Sequence, residues 1–256
     1  MYPLLFYFYG FEIHTYPVII FLALIISSYY FALTCFKRKL TLDFLSDHFL
    51  YIILGTFIFA RVGGILESLS LYNQNPLRII YIFDGAYNFY IAFFGFLITF
   101  FIITILKKES FWKWMDAIAL PFLLFVFFLA IAEFLSGGNY GTPSGLPWAI
   151  SFNIPEVRYT IPIHPVQMYE AIFLLLLFFI IRFMQNKSHH NGVISLYTAF
   201  GFFTIKVILS FFRGAPDLSI FNFRFSLVVS LILAIICFIL IIIKTHNRVH
   251  YFNDKN

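Results

Sequence analysis

Seven stretches of this chain are continuously apolar, and most polar residues fall between them. They run roughly Tyr16–Phe36, His48–Glu67, Phe89–Leu106, Trp114–Leu135, Gln167–Met184, Val193–Phe212 and Phe225–Ile243. A helix needs about 17–25 apolar residues to cross a hydrocarbon core, and each stretch meets or approaches that length. None has the alternating polarity of a transmembrane strand. The pattern predicts an all-α polytopic membrane protein with seven transmembrane helices. A long loop, residues 136–166, separates the fourth and fifth segments and is rich in Gly, Pro and Ser. Loops of that length inside a compact domain are usually functional or disordered. Trp148, Tyr159 and several prolines make a packed loop the expectation here.

Composition agrees. The chain has 256 residues, 61% of them hydrophobic and 11% charged, against about 25% charged in a soluble domain. The mean hydropathy is +0.90. Disorder is excluded, because it needs low hydrophobicity and high charge. A soluble enzyme is excluded for want of polar surface. One integral-membrane domain, residues 1–256, is the expected organisation.

A net charge of +5 could suggest nucleic acid, but the placement of the cations argues for a membrane. Lys37, Arg38, Lys39, Lys107, Lys108, Lys113, Arg182, Lys187, Lys244, Arg248 and Lys255 all follow odd-numbered segments. Arg78, Arg158, Arg213 and Arg224 lie on the other side. The positive-inside rule then puts the N-terminus outside, the C-terminus inside and the 136–166 loop outside. Met1–Thr15 carries no Lys or Arg, so the first segment reads as a span and not a secretory signal. Cys35 and Cys237 have neither metal-ligand nor redox spacing and read as small hydrophobes. His189, His190, His246 and His250 read as solvated. No fingerprint for a nucleotide, metal or other cofactor is present, and none is expected.

Ionisable groups at membrane depth cost about 2.5–3.5 kcal/mol each on insertion scales, so they are the functional candidates. They are Arg61, Glu67, Glu133, Glu170 and Lys206. Phe202, Lys206, Ser210 and Arg213 follow helical spacing and are expected on one face. Arg61, Glu133, Glu170 and Arg213 fall toward the outer leaflet, as a phospholipid-headgroup site would require. Plainer roles stay open. Arg61 can snorkel or pair with Glu133. Lys206 can neutralise a buried acid, and Glu170 can answer a helix dipole. Gly63 and Gly64 suit close helix packing. His164, alone in a loop before a proline, reads as structural.

His164-Pro165-Val166-Gln167-Met168-Tyr169-Glu170 resembles the His-Pro-x-Gln-x-Tyr-Glu signature of bacterial prolipoprotein diacylglyceryl transferases. Other matches follow in order. Ile13-His14-Thr15-Tyr16 resembles the start of that family's first helix. Ala60-Arg61-Val62-Gly63 is similar to its second-helix Ala-Arg-Leu-Gly. Asp116 and Pro121 match its fourth helix. Gly137, Tyr140-Gly141, Pro143 and Leu146-Pro147-Trp148 resemble its signature loop, and Phe211-Phe212-Arg213 with Pro216-Asp217 the end of its sixth helix.

The resemblance implies seven helices and transfer of a diacylglyceryl group from phosphatidylglycerol to a lipobox cysteine thiol, in the bacterial cytoplasmic membrane. It implies Tyr16, Arg61 and Arg213 as lipid-binding residues, and Gly141, His164, Gln167, Tyr169 and Glu170 as residues shaping the site. Phospholipid and prolipoprotein are the implied partners, with no nucleic acid. The departures are at the chemistry. Tyr90 stands at the family's catalytic histidine, Ala130 at its essential arginine and Glu133 at an asparagine. Phe202, Lys206 and Ser210 replace a tyrosine, an arginine and a glutamate. Tyr90, Glu133 and Lys206 are thus the candidate reworked catalytic set. The alternatives are a relative that binds lipid, lipoprotein or a membrane partner without transfer, or a transferase with another acceptor. A channel or carrier lacks support, because no inverted repeat is present.

The charge asymmetry makes one prediction. A topology reporter fused after Asn256 reports the cytoplasm; a periplasmic signal overturns the assigned orientation.

Overall fold

The computed structural model describes residues 4–8, 11–81, 85, 87–152, 157–186, 190–215, 217, 219–220 and 223–253. Lys187, His189, Pro216 and Lys255, together with the side chains of Arg248 and His250, lie outside the described residues. Among the described residues, seven helices are long and apolar enough to cross a membrane. They are α1 (Thr15–Lys37), α2 (Asp43–Glu67), α4 (Phe89–Leu106), α5 (Phe111–Ser136), α6 (Val166–Met184), α7 (Val193–Ser210) and α8 (Phe225–Asn253). A short helix α3 (Leu69–Gln74) and a 3₁₀ turn (Pro76–Ile79) lie between α2 and α4. The chain is a multi-pass membrane protein, and its exposed helix faces carry the side chains that hydrocarbon accepts, such as Phe21, Leu24, Ile25, Ile172, Leu176 and Ile235.

Among the described residues, two small hairpins add to the helices. Strands β1 (Leu4–Phe8) and β2 (Phe11–His14) pair antiparallel and lead directly into α1. Strands β3 (Ser219–Ile220) and β4 (Phe223–Arg224) pair before α8. Pro17 sits in the first turn of α1, where its missing N–H has no helical partner to lose.

Several boundaries differ from the apolar pattern: α2 begins at Asp43, α5 begins at Phe111 and α8 runs on to Asn253; the difference that matters for the site is at the end of α7. The sixth span ends at Ser210 and not at Phe212. Beyond it the backbone leaves the helix for the 140–142 segment. Thr142 N–H donates to the Phe212 carbonyl (2.8 Å), and Gly214 and Ala215 N–H both donate to the Tyr140 carbonyl (2.8 and 3.0 Å). Arg213 is therefore a loop residue and does not continue the Phe202–Lys206–Ser210 face.

The chain divides into two compact units, residues 1–38 with 115–256 and residues 39–114. In the first, α6 packs on α7 and α7 on α8. Asp116, 1% exposed, accepts hydrogen bonds from the Gly192 and Ser195 N–H groups, both at 2.8 Å. It thereby satisfies orphan donors at the start of α7. The Arg38 guanidinium lies 3.6 Å from the same carboxylate, and the Thr34 hydroxyl donates to the Ala117 carbonyl at 2.9 Å. These contacts fasten the end of α1 and the start of α7 to α5. Cys35 and Cys237 are buried and unpaired with each other.

In the second unit, α2 packs along α4 through small residues. Gly55 faces Thr99, Gly95 faces Phe59, and Gly63 faces Asn88 and Ile91. Small residues let backbones approach where the bilayer offers no hydrophobic drive between helices. Asn88 caps α4 by accepting from Ile91 N–H at 2.9 Å. Its own N–H donates to the Ala60 carbonyl at 3.1 Å.

A Cβ at position 63 would lie 2.8 Å from both the Asn88 and Ile91 Cβ atoms, whereas one at Gly145 meets nothing. Gly63→Ala therefore costs about 1–3 kcal/mol of stability, as overpacking typically does, and lowers the thermal midpoint in detergent. Gly145→Ala leaves it unchanged. Equal midpoints for the two variants would contradict the α2–α4 packing.

Candidate functional site

The site is built around the loop that joins α5 to α6. Gly137 and Asn139 adopt φ of +80° and +50°, a left-handed region that glycine and asparagine tolerate best. The turn brings the Asn139 side-chain amide back to donate to the Glu133 carboxylate. Farther on, Ile150 and Ile163 exchange backbone hydrogen bonds at 3.0 Å, Ser144 N–H donates to the Pro162 carbonyl, and His164 N–H donates to the Thr142 carbonyl. Tyr140, Phe152, Val157, Ile163 and Ala215 form a small core under these crossings. Tyr159 packs against this core, whereas Trp148 is 56% exposed.

Gly141 is where the strands cross. It bridges to Arg213, and a Cβ there would strike the His164 carbonyl. The obstacle is backbone, which cannot rotate away. Gly141 thus allows the 140–142 segment, the His164-Pro165 turn and the Arg213 turn to meet.

The signature at the start of α6 splits between two faces. Gln167 is 1% exposed and Glu170 6%. The Gln167 amide nitrogen donates to the Gly138 carbonyl, while its amide oxygen is buried with no donor among the described residues. Glu170 forms an ion pair with Lys206 from α7. On the other face Trp148 Nε1 donates to the Tyr169 hydroxyl at 2.8 Å. His164 Nδ1 lies 3.4 Å from that hydroxyl, and its ring packs edge-on against Phe212 at 5.3 Å. His164 and Tyr169 thus fasten the loop to the top of α6.

Glu133, one turn before the end of α5, is within electrostatic reach of Lys206, Glu170 and Arg213. Tyr16, near the start of α1, is within reach of Glu133. Two carboxylates and two cations therefore converge with one phenol, each from a different piece of chain. The Lys206 ammonium also lies 5.5 Å from the Phe202 ring centroid. Ala130 is 1% exposed and brings no charge. The Ser210 hydroxyl donates to the Val207 carbonyl at 2.9 Å, a bond within its own helix end.

Arg61 and Tyr90 belong to the second unit. The Arg61 guanidinium donates to the Arg78, Ile79 and Tyr81 carbonyls, with a terminal nitrogen at 2.8, 3.2 and 2.9 Å. It also lies over the Tyr72 and Tyr87 rings at 5.4 and 5.7 Å. These bonds hold the connection after α3 and give Arg61 a structural task that the sequence pattern does not disclose. Tyr90 is buried in the first turn of α4, edge-on to Phe89 at 5.6 Å. Ahead of it, the Asn88 amide nitrogen donates to the Glu67 carboxylate. Asn139, Asn88 and Asp116 have buried or capping tasks that sequence reasoning did not assign. For Asn88 and Asn139 the only signal was a short polar side chain beside a helix end; Asp116 was marked by the motif match but not by its task.

A family model described as prolipoprotein diacylglyceryl transferase matches residues 3–243. A phosphatidylglycerol–prolipoprotein diacylglyceryl transferase of Protochlamydia amoebophila is 30% identical over 185 residues, which is 68% of this chain and 50% of that protein. One from Idiomarina loihiensis is 30% identical over 174 residues, 67% of this chain and 64% of the relative. The chain thus spans about half the length of the first of these relatives and under two thirds of the second. One from Campylobacter hominis is 29% identical over 259 aligned positions, covering 93% and 88% of the two chains.

The Lys206–Glu170 pair is 17% and 8% exposed at its side chains. Removing one member leaves a buried charge, at a cost of about 3–5 kcal/mol, whereas removing both does not. Lys206→Met and Glu170→Gln each lower the unfolding midpoint in detergent, and K206M with E170Q recovers most of the loss. Additive losses in the double variant would show that the two groups do not act as a pair.

Proposed function

The chain belongs to the prolipoprotein diacylglyceryl transferase family, and from that premise we propose that it transfers a diacylglyceryl group from phosphatidylglycerol to a cysteine thiol of an envelope prolipoprotein. The observation that carries this is the convergence of Glu133, Glu170, Lys206 and Arg213 beneath a loop pinned by Gly141. So many ionisable groups at membrane depth are hard to explain by stability alone.

The reaction forms a C–S bond at the glyceryl carbon and breaks the C–O bond to phosphate. Glycerol phosphate leaves with the electron pair. A thiol must lose its proton to become the nucleophile, and Glu133, steadied by Asn139, takes it in this scheme. The leaving phosphate gains negative charge. Arg213 meets it with a guanidinium fork suited to paired oxygens. Lys206 adds a second positive charge, and Glu170 holds the ammonium in place. The Gln167 amide oxygen, buried without a donor, is free to accept from a headgroup hydroxyl. Tyr16 lines the lipid side. The residues around the loop then lie outside, with the chain in the bacterial cytoplasmic membrane, as the charge asymmetry predicts.

A second reading is a relative that binds phospholipid without transferring it. The buried Ala130 favours it, because the arginine that the family uses is absent there, and Tyr90 replaces the histidine.

Rescue separates the two. A strain depleted of its ordinary transferase grows when this gene is supplied, and Arg213→Gln or Glu133→Gln lowers thiol acylation by purified protein by about 10²–10³-fold. No rescue and no labelling, with phospholipid still bound by the purified chain, would sink transfer in favour of the binding reading.

A further inference from the structure

A second polar site lies at the opposite end of the same helices. A cavity of about 480 Å³ is enclosed by the C-terminal ends of α1 and α6 and the N-terminal ends of α5 and α7. Its volume falls within the range of about 300–1,000 Å³ usual for ligand pockets. Along α6, Gln185 is fifteen residues beyond Glu170, or about 22 Å of helix rise. The cavity is therefore separate from the transferase cluster.

Its walls are graded. Tyr30 and Leu33 lie deeper along α1, with Leu33 exposed. Lys37, Arg38 and Arg182 stand at the rim, and the one acid in the lining is Asp116. That carboxylate is already engaged by Arg38 and by the Gly192 and Ser195 N–H groups. The charge of Lys37 and Arg182 is left without a carboxylate among the lining residues. The buried Gln185 amide nitrogen, also at the cavity, has no acceptor among the described residues. Buried donors without partners are rare enough to need a cause.

We propose that this cavity is an anion site for a phosphate ester, seated as the headgroup of an anionic phospholipid. Lys37 and Arg182 meet the phosphate oxygens and Gln185 donates to one of them. The order of the walls matches the order of the ligand, with hydrocarbon against Leu33 and phosphate at the cationic rim. On the orientation proposed above, this lipid belongs to the cytoplasmic leaflet. The site itself does not depend on transfer, because none of its residues belongs to the transferase cluster.

The test uses the full chain purified in detergent and titrated with phosphatidylglycerol under native mass spectrometry. K37Q with R182Q weakens one lipid-binding event by about tenfold or more, while the charge-conserving K37R with R182K retains it. Arg213→Gln leaves this event intact, so loss of lipid at the transferase cluster is distinguishable from loss here. Glycerol 3-phosphate and inorganic phosphate are then added as competitors. Failure to displace the lipid assigns the site to phospholipid; displacement at equal concentration assigns it to a soluble phosphate ester, and both support an anion site. Equal lipid binding by the wild type and by K37Q with R182Q overturns it.

Discussion

A lysine in the middle of a membrane-spanning helix is tolerable only with an opposite charge beside it. Lys206 has Glu170, and the rest of the first unit is arranged around that requirement. The pair fixes the spacing of α6 and α7 near the end where the signature residues begin. Glu133 then needs compensation of its own, which Asn139, Lys206 and Arg213 provide. Each charge placed in hydrocarbon draws in the next, so the cluster is a consequence of solvation as much as of chemistry. That is also why its net formal charge is balanced between two acids and two cations.

Backbone, not side chains, sets the other half of the site. The 140–142 segment hydrogen bonds on one side to the turn after α7 and on the other to the turn before α6. At Gly141 the approach leaves no room for a Cβ. Arg213 is carried to the cluster by this crossing and not by helical periodicity, which explains why spacing along α7 misplaced it. The same economy operates in the second unit. Gly63 there lets α2 approach α4, and Arg61 closes the connection after α3 through carbonyl bonds.

Much of the fold was legible in the sequence. Continuous apolar length predicts the seven spans because a helix is the only single segment that satisfies its own backbone in lipid. His-Pro-x-Gln-x-Tyr-Glu was legible as a motif, and Lys206 and Glu170 as costly groups needing partners. The tertiary structure alone decided which partner each group takes. It paired Lys206 with Glu170, turned Tyr169 to Trp148, gave Arg61 to backbone carbonyls and made Asp116 the cap of α7. Hydropathy is local along the chain, so sequence can report it. Charge pairing and backbone crossing join residues far apart in sequence, and only packing brings them within reach.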